Sequence, residues 1–274
     1  MRRVAFICAC ACVLGLAGST RAQTRVAFLA TGDFGVGGSA ELSDGLAMHR
    51  YEARHPTDML VLLGDNDYTE SPAHFRSNWR TSFGWARRSG LEVSGVLGNH
   101  DFRVSHGRYE FRLLGMPGPY YTRTLGDAEL FLLDSNNVND AQTAWLEQQL
   151  TASTAIWKIA VFHEPPYTCG GHLGREDIQE RWVPLFERYG VQLVLSGHDH
   201  NYERFAARNG VTYVVDGGGG AHLYRLQQCP TDYPVRTRAR VEHGFLYVTV
   251  TPDWLNGYAL NKRGRVTDRF SLQP

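Results

Sequence analysis

Five short polar motifs interrupt the apolar segments of this chain, and they constrain its fold more than any other feature. Each motif ends a run of strand-forming residues with an Asp, Asn or His. The motifs are Gly32-Asp33-Phe34-Gly35, Gly64-Asp65-Asn66-Asp67-Tyr68, Gly98-Asn99-His100-Asp101, Val161-Phe162-His163 and Gly197-His198-Asp199-His200. Ligands of α/β folds collect beyond the carboxyl ends of the strands, so we expect these polar side chains to meet at one site.

The segments between the motifs alternate between strand and helix patterns. Apolar, β-branched runs predict strands over 25–31, 58–63, 91–97, 156–162, 191–195, 211–215 and 245–250. Hairpins are predicted around 120–134 and in the 257–272 tail. Amphipathic patterns predict helices over 40–54, 140–150 and 176–189. Because strands outnumber helices in the C-terminal half, we predict an α/β fold built as a four-layer αββα sandwich of two mixed β-sheets flanked by helices.

The N-terminus has the pattern of a secretory signal. A pair of arginines precedes an apolar segment over 4–16, and small residues lead to a cleavage site before Gln23. The apolar segment is too short for a comfortable membrane span. We predict a signal peptide over 1–22 and one domain over 23–274, in a secreted or periplasmic protein with no membrane span after cleavage. A lipoprotein signal ending at Cys10 is the alternative.

Cysteine usage and net charge add two further expectations. Cleavage of the signal leaves Cys169 and Cys229. In an exported protein such a pair is a candidate disulfide, the alternative being two unpaired thiols. The formal net charge of the chain is zero, so composition indicates no basic surface for nucleic acid or anionic lipid.

The residue types of the five motifs fit a pair of metal ions at the carboxyl ends of the strands. Two ions about 3.5–4 Å apart require a bridging ligand, and Asp65 is the best candidate for it. Histidine and carboxylate ligands suit first-row transition ions better than calcium or magnesium. Such a pair generates hydroxide and neutralises charge on phosphoryl oxygens, so the pattern predicts hydrolysis of a phosphate ester.

The motifs resemble those of the calcineurin-like metallophosphoesterase superfamily. Tyr68, which completes a Gly-Asp-x-x-Tyr pattern, makes the chain similar to the purple acid phosphatases, in their short, single-domain, mammalian-type form. In that family this tyrosine binds ferric iron. The resemblance implies a ferric ion held by Asp33, Asp65, Tyr68 and His200, and a second divalent metal (iron, zinc or manganese) held by Asp65, Asn99, His163 and His198.

Two further histidines are predicted to act on the substrate. His100 directly follows a predicted metal ligand, and His172 lies nine residues after His163 in a glycine-rich loop. The mammalian-type enzymes similarly carry a second active-site histidine at this spacing. Either side chain could protonate the leaving group. Asp101 is read as an orienting partner of His100 or as a surface carboxylate, and Asp199 is expected to face away from the metals.

Together with the resemblance, the sequence predicts an exported acid phosphatase. It would hydrolyse small phosphate monoesters by attack of metal-bound hydroxide at a dinuclear Fe(III)–M(II) centre. A phosphodiesterase, nucleotidase or alkaline-type phosphatase on the same two metals is the close alternative. The alternative from another class is an exported protein that binds metal or phosphate without turnover.

Overall fold

The computed structural model describes residues 25–69 and 71–274, and its strands form two sheets. Sheet A comprises β1 (Val26–Thr31), β2 (Met59–Leu62), β3 (Glu92–Gly95), β11 (Gly244–Val250), β12 (Leu255–Asn261) and β13 (Val266–Leu272). Sheet B comprises β4 (Tyr121–Leu125), β5 (Ala128–Leu132), β6 (Trp157–Val161), β7 (Leu193–Ser196), β8 (Tyr202–Phe205), β9 (Thr212–Asp216) and β10 (Arg236–Arg240). The predicted signal peptide over 1–22 lies outside the described residues.

Both sheets are mixed, and their parallel strands carry the motifs. The strand order is β13-β12-β11-β1-β2-β3 in sheet A and β10-β8-β9-β7-β6-β5-β4 in sheet B. The strands β1, β2 and β3 run parallel to one another, as do β5, β6, β7 and β9. The motifs therefore follow β1, β2, β3, β6 and β7 at the carboxyl ends of parallel strands, where α/β folds bind ligands.

The helices follow the strands of their own sheet in the chain. Those after strands of sheet A are α1 (Ser39–Glu52), α2 (Pro72–Ser82), α3 (Gly84–Arg88), α4 (Asn99–Ser105) and α5 (Arg108–Glu110). Those after strands of sheet B are α6 (Asp140–Ala152), α7 (Glu176–Arg181) and α8 (Val183–Tyr189). The prediction of one helix over 176–189 is wrong at Trp182, which separates α7 from α8. Pro184 lies in the first turn of α8, where its missing N–H is tolerated.

Alternate residues of sheet B belong to different cores, which gives the order of the layers. Leu130, Leu132 and Ile159 share one apolar cluster with the strands of sheet A. The adjacent Phe131 and Ala160 join a second cluster with side chains of α6, α7 and α8. Because successive strand residues face opposite sides of a sheet, sheet B packs on sheet A with one face and on helices with the other. The predicted α/β sandwich is confirmed.

Two strands of sheet B were not predicted from the sequence, because they contain many polar residues. The strand β8 has the sequence Tyr-Glu-Arg-Phe, and β10 reads Arg-Thr-Arg-Ala-Arg at the edge of the sheet. Charged side chains such as those of β10 are typical of edge strands, where they oppose pairing with other chains. In both strands the charged residues interrupt the apolar alternation from which a strand is predicted. No helix within the described ranges combines the length and the apolar character that a membrane span needs.

Candidate metal centre

Three predicted ligands lie in sharp turns just after their strands. The φ angles of Asp33, Asp65 and His198 are 61°, 51° and 73°. Residues with a β-carbon rarely adopt this left-handed conformation, and such strain concentrates at functional sites. The backbone therefore holds these three side chains at the strand ends in conformations that ordinary turns avoid.

Two motif glycines leave room for the ligands to approach one another. A β-carbon on Gly98 would lie 2.0 Å from Asp65 Oδ1, and one on Gly64 would lie 2.5 Å from His163 Nδ1. Gly64 also has a φ of 93°, which a residue with a side chain adopts only under strain. A side chain at either position would clash with a metal-ligand candidate, so both positions require glycine.

The four residues assigned by resemblance to the ferric ion meet at one point. The Tyr68 hydroxyl oxygen lies 3.2 Å from Asp33 Oδ1 and 3.1 Å from His200 Nε2. The Nε2 atom of His200 is in turn 3.3 Å from Asp33 Oδ1. Ligand atoms of Asp33, Asp65 and His200 all lie within 4.8 Å of one another, and all three residues are buried.

The residues assigned to the second metal gather around His163. The Nε2 atom of His163 lies 3.4 Å from Asp65 Oδ1, 3.2 Å from Asn99 Oδ1 and 3.3 Å from His198 Nδ1. Asp65 therefore contacts the second group and belongs to the first, which is the position that a bridging carboxylate would take.

Backbone carbonyls fix which nitrogen of each ring faces the site. Nδ1–H of His163 donates to the Leu63 carbonyl at 2.9 Å, and Nδ1–H of His200 donates to the His222 carbonyl at 2.7 Å. Both rings then present Nε2 to the centre, as metal-ligating histidines do when their other nitrogen is hydrogen-bonded.

The electrostatics of the cluster favour a cation. Asp33 and Asp65 are 0% and 2% exposed. Burial alone would lower the pKa of His163, but the Asp65 and Asp33 carboxylates outweigh it and raise that pKa to about 10. Burial and repulsion from His163 lower the pKa of His198 to about 2. A site that demands a proton on one buried imidazole can instead accept metal ions, so this donor set fits the two-metal centre.

Burial and the Asp33 and Asp65 carboxylates raise the pKa of Tyr68 far above its usual range. A trivalent cation beside the phenol would reverse that effect, because it stabilises the phenolate. Tyr68 therefore fits a ligand of a highly charged ion better than a free tyrosine.

Asp101 is a structural link between two motifs rather than a surface carboxylate. It is 1% exposed and accepts N–H groups from Gly98 at 2.8 Å, Asn66 at 2.9 Å and Asp67 at 3.0 Å. This carboxylate ties the loop that carries Tyr68 to the loop that carries Asn99.

His100 and His172 pack against different metal-ligand candidates. The His100 ring packs on the Tyr68 ring with 4.3 Å between centroids, and its backbone N–H donates to Asp65 Oδ1 at 2.9 Å. Burial lowers the pKa of His100, and attraction to Asp65 offsets this only in part. The His172 ring stacks on His198 at 4.0 Å, and its side chain is 39% exposed. Both histidines therefore lie directly against metal-ligand candidates.

The Asp199 carboxylate holds the loop of His172. Its Oδ1 atom accepts the backbone N–H of Gly171 at 2.7 Å and that of His172 at 3.0 Å, and lies 3.2 Å from His172 Nδ1. Its other oxygen accepts the hydroxyl of Thr168. Nδ1–H of His172 can donate to this carboxylate, which leaves Nε2 as the outward-facing nitrogen.

Tyr224 is a site residue that the sequence reading missed. Its ring stacks on His200 with 4.1 Å between centroids and an interplanar angle of 11°, and meets the His172 ring edge-on at 5.2 Å. Its N–H donates to the His200 carbonyl at 3.0 Å. The only available signal was its position shortly after the glycine run at 217–220, close to His222.

A disulfide joins Cys169, in the His172 loop, to Cys229 across 60 residues. The Cys169 N–H donates to Glu203 at 3.1 Å, and Arg236 Nη1 pairs with Glu203 at 2.8 Å. The Cys169 carbonyl accepts the Gln227 N–H at 2.7 Å. The His172 loop is thus tied to the segment that follows Tyr224.

The sequence of the chain matches a known family over most of its length. Residues 23–202 match the calcineurin-like phosphoesterase family. The chain belongs to this family. All five motifs lie within the matched residues, so the predicted membership and the prediction of a hydrolase are confirmed.

Individual relatives show which kind of phosphoesterase the chain resembles. It is 25% identical over 262 residues to tartrate-resistant acid phosphatase type 5 of Mus musculus, covering 80% of this chain and 77% of that one. It is 26% identical over 244 residues to purple acid phosphatase 17 of Arabidopsis thaliana, covering 75% of this chain and 71% of that one. The predicted resemblance to purple acid phosphatases is confirmed.

Solved structures share the fold at lower sequence identity. The purple acid phosphatase from yellow lupin (Lupinus luteus) superposes with a TM-score of 0.78 at 18% identity, covering 92% of this chain and 54% of that one. GAP50, "the anchor in the inner membrane complex of Plasmodium", gives 0.76 at 18% identity, covering 91% and 89%. Since a phosphatase and an anchor protein share this architecture, the fold alone does not identify the reaction, which depends on the residues of the site.

Proposed function

We propose that this protein is an exported acid phosphatase that hydrolyses phosphate monoesters at an Fe(III)–M(II) centre, with M iron, zinc or manganese. The observation that carries the proposal is the position of the Tyr68 hydroxyl between Asp33 Oδ1 and His200 Nε2. A tyrosine at this point adds a phenolate donor, which suits a trivalent ion, to the histidine and carboxylate donors. We further propose a signal peptide over 1–22 and one catalytic domain over 23–274, in a secreted or periplasmic protein.

In this proposal, Asp33, Asp65, Tyr68 and His200 hold the ferric ion, and Asp65, Asn99, His163 and His198 hold the divalent ion. Bound metals would lower the pKa of water and neutralise charge on the phosphoryl oxygens. The neutral amide of Asn99 in place of a carboxylate leaves the loaded site with surplus positive charge, which favours a phosphate dianion.

The two flanking histidines handle the substrate. His100, held by its backbone N–H on Asp65 Oδ1 and by its ring on Tyr68, steadies the phosphoryl group. His172, with Nδ1 against Asp199 and Nε2 facing outward, donates a proton to the departing alkoxide. A positioned histidine in such a role typically contributes about 10²–10⁴-fold to the rate.

The test is hydrolysis of a nitrophenyl monoester and of its diester by the protein loaded with iron and a divalent metal, at pH 5. We expect turnover of the monoester in preference to the diester, and loss of both metal and activity in Asp65→Ala. Faster hydrolysis of the diester would assign the site to a phosphodiesterase. Retention of phosphate without turnover at any pH would identify a binding protein.

A further inference from the structure

A basic cavity lies beside the segment that supports His200. The cavity has a volume of about 470 Å³ and is lined by Leu223, Glu242, His243 and three cations. The cations are Lys262, Arg263 and Arg265, on the turn between β12 and β13. The fold thus gathers positive charge on one tight turn.

A second cavity extends this charge along the surface. It has a volume of about 210 Å³, shares Arg263 with the first, and adds Arg50 from the last turn of α1 and Arg54 from just beyond its end. We call the five cations Arg50, Arg54, Lys262, Arg263 and Arg265 the basic strip. Glu242 is the one acidic residue among those that line the two cavities.

The side chains of the basic strip are available to bind an anion. All five residues are exposed. Within the described part of the chain, none of them forms an ion pair, whereas Arg204 and Arg236 pair with Asp268 and Glu203. The net charge of zero for the whole chain does not indicate this local surplus of positive charge, because net charge carries no information on position.

Backbone contacts connect the basic strip to the metal centre. Leu223 follows His222, whose carbonyl accepts Nδ1–H of His200 at 2.7 Å. The His243 carbonyl accepts the Lys262 N–H at 3.0 Å. Nδ1–H of His243 donates to the Gly218 carbonyl at 3.0 Å, and the adjacent Gly219 N–H donates to the Gly32 carbonyl at 2.9 Å. His243 therefore links the turn on one side to the loop that carries Asp33 on the other.

We propose that the basic strip binds the distal phosphates of a linear polyphosphorylated substrate whose terminal phosphate occupies the metal centre. Guanidinium groups match phosphate geometry, and a row of them suits a chain that carries one charge after another. A monoester carries no second phosphate for the strip to bind. The proposal rests on the phosphatase function proposed above and names the substrate class for it.

The reaction on such a chain is ordinary hydrolysis. The oxygen of water forms a bond to the terminal phosphorus, and the bond from that phosphorus to the bridging oxygen breaks. The bridging oxygen keeps the electron pair as the new end of the chain, and the protons of water pass to the products and the solvent. Water is the one co-reactant, and no oxidant or reductant is needed.

The experiment compares two triple variants of the full mature chain. The first removes the charge of the turn, with Lys262→Gln, Arg263→Gln and Arg265→Gln. The matched control removes three exposed arginines that line neither cavity, with Arg76→Gln, Arg80→Gln and Arg88→Gln. Values of kcat/KM are measured at low ionic strength on nitrophenyl phosphate, pyrophosphate and long-chain inorganic polyphosphate.

We expect the turn variant to lose about tenfold in kcat/KM on the long chain, chiefly through KM, since three exposed charge contacts are removed. Its activity on nitrophenyl phosphate and pyrophosphate should stay at the level of the unmodified enzyme, as should that of the control variant on all three substrates. The loss on the long chain should disappear in high salt, which screens exposed charges. Equal losses on short and long substrates, or the same loss in the control variant, would overturn the proposal.

A binding measurement separates this proposal from the proposed function. Calorimetric titration of the metal-free protein with long-chain polyphosphate should show binding that the turn variant weakens about tenfold. Failure of nitrophenyl phosphate hydrolysis in the unmodified enzyme would refute the phosphatase and leave this titration as a test of the strip. Equal binding by the turn variant and the unmodified protein would refute the strip whatever the enzyme hydrolyses.

Discussion

Asp199 stands between two metal-ligand candidates, yet its carboxylate organises a different residue. Its Oδ1 atom lies within 3.2 Å of the Gly171 N–H, the His172 N–H and His172 Nδ1. A carboxylate on Nδ1 selects the tautomer and the orientation of an imidazole. Asp199 is therefore a positioning residue for His172.

Asp199→Asn should lower kcat on the nitrophenyl monoester by about tenfold, because His172 loses its orienting partner. His172→Ala should lower kcat by at least as much, and the double variant should lose no more than His172→Ala alone. Metal content must be equal in all three proteins. A full additional loss from Asp199→Asn in the His172→Ala background would contradict a role through His172.

At the residue scale the sequence predicted which residues lie together in the candidate site, but it did not predict the contacts of the residues around them. The predicted ligands converge because each ends a strand of a parallel set, which a pattern of apolar runs can indicate. The roles of Asp101 and Tyr224 could not be predicted, since each depends on a contact with a different loop. The left-handed φ angles of Asp33, Asp65 and His198 could likewise not be predicted from the sequence, because glycine is the residue that normally indicates such turns.

At the element scale the disulfide fixes the loop that carries His172. Cys169 and Cys229 are 60 residues apart, so the bridge removes much conformational freedom from the unfolded chain. The Cys169 carbonyl and N–H also make hydrogen bonds to Gln227 and Glu203, which remain when the bridge is absent.

Cys229→Ser should lower the free energy of unfolding by about 2–4 kcal/mol, the usual range for loss of a native disulfide. Activity should fall less than in Asp199→Asn, because the hydrogen bonds of the loop persist. Denaturant unfolding of both proteins with and without reductant provides the measurement. If reductant destabilised Cys229→Ser as much as the unmodified protein, the effect would not come from this bridge.

The strands that the sequence predicted are the buried, apolar ones. The hairpin of β4 and β5, the tail strands β12 and β13, and the parallel strands all follow from apolar or alternating patterns. The strands β8 and β10 were missed because tertiary pairing, rather than composition, places the charged segment Arg236–Arg240 at a sheet edge. The break at Trp182 was missed because the apolar pattern continues from α7 into α8.

At the scale of the whole molecule, one carboxylate links the two sheets. Asp268 in β13 accepts hydrogen bonds from Tyr202 Oη at 2.8 Å and Arg204 Nε at 2.7 Å, both in β8. Burial alone would raise the pKa of Asp268, but the Arg204 and Tyr202 hydrogen bonds outweigh it and hold that pKa below its usual range. A depressed pKa means that folding favours the charged form, so the carboxylate stabilises the fold above the ordinary pKa of an aspartate.

Asp268→Asn should therefore lower the free energy of unfolding at pH 7 by about 1–3 kcal/mol, the range for a charged hydrogen-bond partner. The difference from the unmodified protein should shrink as the pH falls through the depressed pKa, because the native carboxylate then loses its charge as well. Unfolding in denaturant from pH 7 to pH 3 gives the measurement, with Asp232→Asn at an exposed position as the control. A difference that did not change with pH would assign the effect to packing.

Iron bound by Tyr68 is the central feature of the proposed function, and the visible spectrum of the iron-loaded protein tests it most directly. We predict a broad absorption band that gives a violet colour, together with nitrophenyl monoester hydrolysis at pH 5. Tyr68→Phe should lose the band while its far-ultraviolet circular dichroism stays unchanged, since the hydroxyl lies at the ligand site. A colourless iron-loaded protein, or an unchanged band in iron-loaded Tyr68→Phe, would contradict the assignment.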